Sequence, residues 1–140
     1  MRKILLLHLL FAATALRAQL LSSAALDSVR TYRSLEHALK TPDQVYRLDL
    51  SSKKLKVLPE EIKQFKNLNA LDLGSNKLRD LPPWMAELAY LQELRVTRNK
   101  LVDFPVVVCK LKRLKRLDMS RNALVGLPKC MGGLKELVSL

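Results

Sequence analysis

Asp49, Asp72 and Asp118 stand 23 and 46 residues apart, and Asn76, Asn99 and Asn122 stand 23 apart. Carboxylates brought together at that period could hold a cation or share a proton, and amides could donate and accept along a row. Little else is equipped for bond-making. His8 and His37 are the only histidines, and no G-x-S-x-G, Walker loop, G-x-G-x-x-G or H-E-x-x-H occurs. Cys109 and Cys130 are the only cysteines and no histidines cluster with them, so no zinc site and no cofactor is expected. No residue is assigned a catalytic role, and a non-enzymatic protein is expected. An acid pair at Asp49 and Asp72 is conceivable, but the plainer reading is two solvated, mildly repulsive carboxylates on neighbouring strands.

What sets this period is a repeat. "LDLSSKKLKVLP", "LDLGSNKLRDLP", "LRVTRNKLVDFP" and "LDMSRNALVGLP" recur at 23-residue spacing without insertion. With position 1 at Val45, Leu68, Leu91, Leu114 and Leu137, position 4 is always leucine and position 15 always Pro59, Pro82, Pro105 or Pro128. Four units span 45–67, 68–90, 91–113 and 114–136, with a partial fifth at 137–140. Positions 4 and 6 alternate with polar neighbours, which predicts a short parallel strand near positions 3 to 7. Proline at 15 must lie past that strand, and apolar positions 18 and 21 have helical spacing. The amides Asn76, Asn99 and Asn122, at position 9, could satisfy inward-facing backbone groups of their own and the adjacent turn. Lys53 replaces asparagine in the first unit, which on the sequence alone has no strand on its outer side.

These residues resemble leucine-rich repeats, L-x-x-L-x-L-x-x-N-x-L, of the 23-residue kind that carries L-P-x-x-I-x-x-L. They are similar to the repeats of Scribble-like scaffolds, plant intracellular Ras-group-related proteins and bacterial envelope proteins. The resemblance covers about two thirds of the chain. It implies an α/β fold class: a right-handed leucine-rich-repeat solenoid with a concave parallel β-sheet and short helical or 3₁₀ convex segments. One unit cannot bury its apolar face alone, so stacking is required. Fold alone says little about function.

The ends depart from the repeat. "MRKILLLHLLFAATALRAQ" has a basic start, an apolar stretch too short to span a membrane comfortably, and small residues around Ala13-Thr14-Ala15 and Ala18. Residues 1–18 read as a signal peptide, which implies a secreted or periplasmic protein; an uncleaved N-terminus would make it a cytoplasmic scaffold. Residues 19–44 read as an N-terminal capping region with a short helix begun by Ser34, faced by Leu35, Ala38 and Leu39, and stopped by Pro42. At Leu140 the underside of the fourth unit, with Leu124, Leu127 and Leu134, is expected to face water beside an open strand edge. The expectation is a fragment of a longer protein or a truncated reading frame, with an edge covered by a partner, including self-association, as the alternative.

Formal charge is +12, and +9 remains once Arg2, Lys3 and Arg17 are removed with the leader. "CKLKRLKR" (109–116) is the densest patch, with Lys110, Lys112, Arg113, Lys115 and Arg116 pushed outward; it reads as a solvated edge or as a surface for an anionic glycan. No aromatic residues interleave, so nucleic acid is not an expected partner. Cys109 and Cys130 fall at positions 19 and 17 of successive units. They could pair in an oxidising compartment, but the two-column offset favours two separate thiols.

Positions 3, 5, 7 and 8 point from the concave sheet. They place Arg47 and Asp49 in the first unit, Asp72 in the second, Glu93, Arg95, Thr97 and Arg98 in the third, and Arg116, Asp118 and Arg121 in the fourth. Glu93 falls beside Arg116, and Arg95 between Asp72 and Asp118, a checkerboard of opposite charges. The functional expectation is a non-catalytic interaction module that presents this face to a protein partner, with Arg95, Arg98 and Arg121 as anchors. The alternatives are a receptor-like module for an anionic glycan or envelope polymer, an intracellular scaffold, or an enzyme with its catalytic part past Leu140.

Overall fold

The computed structural model of the chain describes residues 20–140, so the expected leader lies outside the described residues. Within each repeat, alternation sends position 4 inward and positions 3 and 5 outward. The resulting strands are β2 (Arg47–Asp49), β3 (Ala70–Asp72), β4 (Glu93–Arg95) and β5 (Arg116–Asp118), preceded by β1 (Thr31–Tyr32). They form one sheet in chain order, parallel throughout. Tyr32, Leu48, Leu71, Leu94 and Leu117 share a register column and are all buried. Strands proper span positions 3 to 5, shorter than the sequence suggests. The ladder carries on through Leu50 N–H to Asp72 O (2.8 Å) and Ser52 N–H to Gly74 O (2.9 Å). A left-handed residue at position 8 then turns the chain away: Ser52, Ser75, Arg98 and Arg121 have φ of 58°, 56°, 52° and 57°.

After each proline the chain returns as a 3₁₀ segment: Glu60–Gln64, Pro83–Glu87, Val106–Lys110 and Lys129–Gly133. Ile62 with Phe65, Met85 with Leu88, and Val108 with Leu111 close the core from this side, all buried. One apolar core runs from Tyr32 to Leu134, which is the leucine-rich-repeat solenoid with its concave parallel sheet.

Asparagine joins the coils. Asn76 Nδ2 donates to the carbonyls of Leu50 and Leu73, each at 2.9 Å, and its Oδ1 accepts from the N–H groups of Lys53 and Leu55, each at 3.0 Å. Asn99 bridges Leu73 and Val96 carbonyls and takes the Leu78 N–H; Asn122 bridges Val96 and Met119 and takes the Leu101 N–H. Each amide thus ties its own turn to that of the preceding coil.

Residues 20–44 contain α1 (Ser23–Ser28), β1, α2 (Leu35–Leu39) and a 3₁₀ turn at Pro42–Gln44. Ser34 Oγ accepts the His37 N–H to cap α2, whose Ala38 is buried. Tyr32 fills the leucine column, and its hydroxyl meets Thr41 Oγ1 at 3.0 Å. The first unit therefore does have a strand on its outer side, contrary to the sequence reading, because β1 pairs with β2. Lys53 still reaches solvent.

The cysteines also correct the sequence reading. Cys109 and Cys130 form a disulfide between adjacent 3₁₀ segments, with their Cα atoms 5.8 Å apart. Their offset of two columns is only about 4 Å along a 3₁₀ axis, well within reach of a bridge. At the far end a parallel bridge between Arg116 and Ser139 begins a further strand. Leu127 is exposed there as expected, Leu124 is half-buried, and Leu134 is buried rather than open. Among the described residues no helix is long and apolar enough to cross a membrane.

Asn76→Leu should lower unfolding stability by about 3 kcal/mol, since it strands buried turn N–H and C=O groups; denaturant titration measures this. Reducing the Cys109–Cys130 bridge should cost about 3 kcal/mol for a loop of this length, read as an earlier transition in reductant that Cys109→Ser reproduces without it.

Candidate functional site

Two rows of charge cross the sheet. Along position 3 the register runs Thr31, Arg47, Ala70, Glu93, Arg116; along position 5 it runs Asp49, Asp72, Arg95, Asp118. Ala70 is the small member of the first row. It leaves Arg47 free to reach two strands across, where Nη2 lies 3.5 Å from Glu93 Oε2. Glu93 also accepts from Arg116 Nη1 at 2.6 Å, so one carboxylate joins two guanidiniums. Asp27, from α1, adds a contact to Arg47 at 3.3 Å. This last pair has no counterpart in the repeat pattern, and the sequence reading missed it.

In the second row Arg95 lies 3.6 Å from Asp72 and 3.9 Å from Asp118, while Arg33 meets Asp49 at 3.6 Å. The aspartates do a further job that spacing did not reveal. Asp49 Oδ1 accepts the Ser51 N–H (2.9 Å), Asp72 Oδ1 the Gly74 N–H (2.8 Å), and Asp118 Oδ1 the Ser120 N–H (3.1 Å). Each carboxylate caps the exit of its own strand two residues on, a local turn motif readable as Asp-x-Ser or Asp-x-Gly. Asp49 and Asp72 are therefore separately partnered, rather than a repulsive pair. Burial pulls the Asp49 carboxyl upward, but hydrogen bonds from Ser51 and the charges of Arg33 and Lys53 outweigh it and hold it below the usual range. Asp118 behaves alike: burial opposes, while Ser120, Arg95 and Arg121 prevail and lower it.

Around the strand exits a shallow, open depression is lined by Ser52, Gly74, Thr97, Arg98, Ser120 and Arg121 among others. Gly74 permits a close approach there: a Cβ would meet both Asp72 Oδ1 and Thr97 Oγ1 at 3.0 Å. Arg98 and Arg121 are exposed, and neither joins the ion-pair rows among the described residues. Both occupy left-handed backbone. Such φ values suit glycine and cost an arginine on the order of 1 kcal/mol. The proposed face thus combines a neutralised centre, Arg47 to Asp118, with two exposed arginines at its rim, of which Arg121 helps hold the Asp118 carboxyl down.

On the convex side the basic run is partly tied down. Lys112 Nζ donates to the Cys109 carbonyl at 2.8 Å, and Arg113 meets Glu136 at 3.4 Å. Arg116 belongs instead to the inner face.

Among known proteins, a family model described as leucine rich repeat matches residues 43–101. A leucine-rich-repeat protein of Leptospira interrogans is 36% identical, over 79% of this chain and 34% of that one, with a TM-score of 0.61. The BIR2 ectodomain from Arabidopsis thaliana is 27% identical, over 66% of this chain and 50% of that one, with a TM-score of 0.58. Internalin C2 from Listeria monocytogenes, at 20% identity over 77% of this chain and 46% of that one, has the same fold with a TM-score of 0.63. A search of curated proteins finds no match. The chain spans about a third of the Leptospira protein and half of the BIR2 ectodomain.

Because the folded Asp49 carboxyl is depressed, its contribution is present above the unfolded value of about 3.9 and is lost as pH falls through the lower folded value. Denaturant unfolding followed downward from about pH 5 should show a shallower acid decline in Asp49→Asn than in the parent chain.

Proposed function

This chain is a leucine-rich-repeat protein, and on that premise we propose that it binds a protein partner through its inner face, without covalent chemistry. Arg95, Arg98 and Arg121 are its anchors. The observation that carries this reading is the pair of rim arginines. Backbone at position 8 favours glycine, yet Arg98 and Arg121 stand there with exposed side chains that join neither ion-pair row among the described residues. The left-handed turn itself recurs at Ser52 and Ser75 and belongs to the fold; what is particular to the third and fourth units is the exposed arginine placed on it, which supports a recognition role. Behind them the ion-pair rows hold Arg47, Glu93 and Arg116 in fixed geometry, so little side-chain entropy remains to be lost on docking. The partner's matching surface is acidic opposite Arg98 and Arg121, with a basic group able to exchange into the Asp72–Arg95–Asp118 row.

The place of action in this reading is outside the cytosol. The disulfide supports an oxidising compartment, the resemblance to a plant ectodomain agrees with it, and so does the apolar, basic-flanked opening of the chain.

Capture of partner from its source fluid should fall at least roughly tenfold when Arg95, Arg98 and Arg121 are changed to glutamate, as expected for hot-spot cations. A paired variant, Arg98→Gly with Arg121→Gly, separates binding from folding. It relieves the left-handed backbone, so its melting temperature should hold or rise while capture falls. Equal capture by parent and variants would dispose of the anchors.

A further inference from the structure

Ahead of β1 the chain leaves the end of the stack and lies against the second and third repeats, where nothing in the repeat pattern calls for it. Two side chains receive it there. Asn69 and Gln92, both at position 2 just before β3 and β4, are buried, with 0% and 2% of their surface exposed. Asn69 Oδ1 accepts the Leu21 N–H at 2.9 Å, and Gln92 Nε2 donates to the Leu21 carbonyl at 2.7 Å. Both main-chain groups of a single residue are thereby read by side-chain amides, independently of what that residue's side chain is.

The reading amides are held in orientation. Gln92 Nε2 also donates to Asn69 Oδ1 (2.6 Å), Asn69 Nδ2 donates to the Asn67 carbonyl (2.6 Å), and Asn67 Nδ2 donates to the Asp43 carbonyl (2.7 Å). Position 2 is Tyr46 in the first unit and Lys115 in the fourth, so the amide pair is particular to this place. Two more features complete the docking. Leu26, five residues past Leu21, is buried yet stands outside the continuous repeat core. Asp27, six residues past it, reaches Arg47.

The seated segment fits imperfectly at its charged end. Asp27 touches Arg47 through Nη2 alone and its side chain stays 67% exposed. Arg47 Nε is buried with no hydrogen-bond partner. A carboxylate placed two-pronged on the same guanidinium would satisfy that N–H. The segment's helix, α1, has six residues, too few to persist once undocked, so displacement returns its conformational entropy.

We propose that Asn69, Gln92 and Arg47 form a peptide-binding site held in cis by residues 21–27, and that a segment of a partner protein, extended at the amides and turning into a short helix like Ser23–Ser28, takes their place. That segment offers one residue's main chain to the amides, an apolar side chain five places on, and a carboxylate six places on for Arg47. The amide clamp sits at the strand entrances, away from Arg98 and Arg121 at the exits, so failure of those anchors leaves it standing.

The probe is a fluorescent peptide with the sequence of residues 20–29, which contains no lysine or arginine. In the full chain, Leu26→Ser with Asp27→Ala weakens the internal occupant. This variant should bind the probe at least tenfold more tightly than the parent, and adding Gln92→Leu should abolish the gain. With unlabelled peptide on the parent chain, tryptic cleavage after the exposed Arg30 should accelerate as the internal segment is displaced. A folded double variant that does not bind, or binding indifferent to Gln92→Leu, overturns the proposal. If the variant melts early, the parent chain decides: cleavage after Arg30 unchanged at saturating peptide overturns it equally.

Discussion

The structure depends on one constraint: where the chain leaves each strand and turns back, its backbone N–H and C=O groups face inward, away from water. No ladder reaches them. Asn76, Asn99 and Asn122 meet the need by bridging their own turn and the preceding one. A coil is thus complete only when the next is in place. This polar requirement, added to apolar burial from Tyr32 to Leu134, holds every unit at the same rotation and register. Apolar contacts alone would tolerate sliding; amide bonds at fixed distances do not.

Register is what makes the inner face specific. With strands locked, Arg47, Glu93 and Arg116 fall in one row and Asp72, Arg95 and Asp118 in another. Individually such half-exposed pairs stabilise little. Their effect is to neutralise the centre of the sheet and leave charge at the rim, on Arg98 and Arg121. In the third and fourth units the residue that turns the chain is also an exposed arginine, so backbone geometry and candidate recognition meet at position 8.

Fold was legible because it is written in columns. Leucine at position 4, proline at 15 and apolar residues at 18 and 21 repeat without insertion, and periodicity survives any ignorance of detail. The ion pairs of Glu93 with Arg116 and of Arg95 with its two aspartates followed from the same columns. Features that break the period were not legible. Tyr32 enters the leucine column from a stretch 16 residues, not 23, ahead of Leu48, so its strand left no trace in the repeat. Cys109 and Cys130 sit in different columns, and only the close packing of 3₁₀ segments brings them together. Asn69 and Gln92 carry no signal in the sequence because their occupant, Leu21, is 48 and 71 residues away. The left-handed φ at Arg98 and Arg121 was hidden because arginine is not the residue expected in such backbone.

The direct measurement is amide hydrogen exchange under native conditions on the folded chain. The N–H groups of Lys53, Leu55, Leu78 and Leu101, each held by an asparagine of the following coil, should exchange as slowly as the strand amides of Leu50 and Leu73. Fast exchange at those four turns, with the strands still protected, would contradict the claim that side-chain amides lock the coils in register.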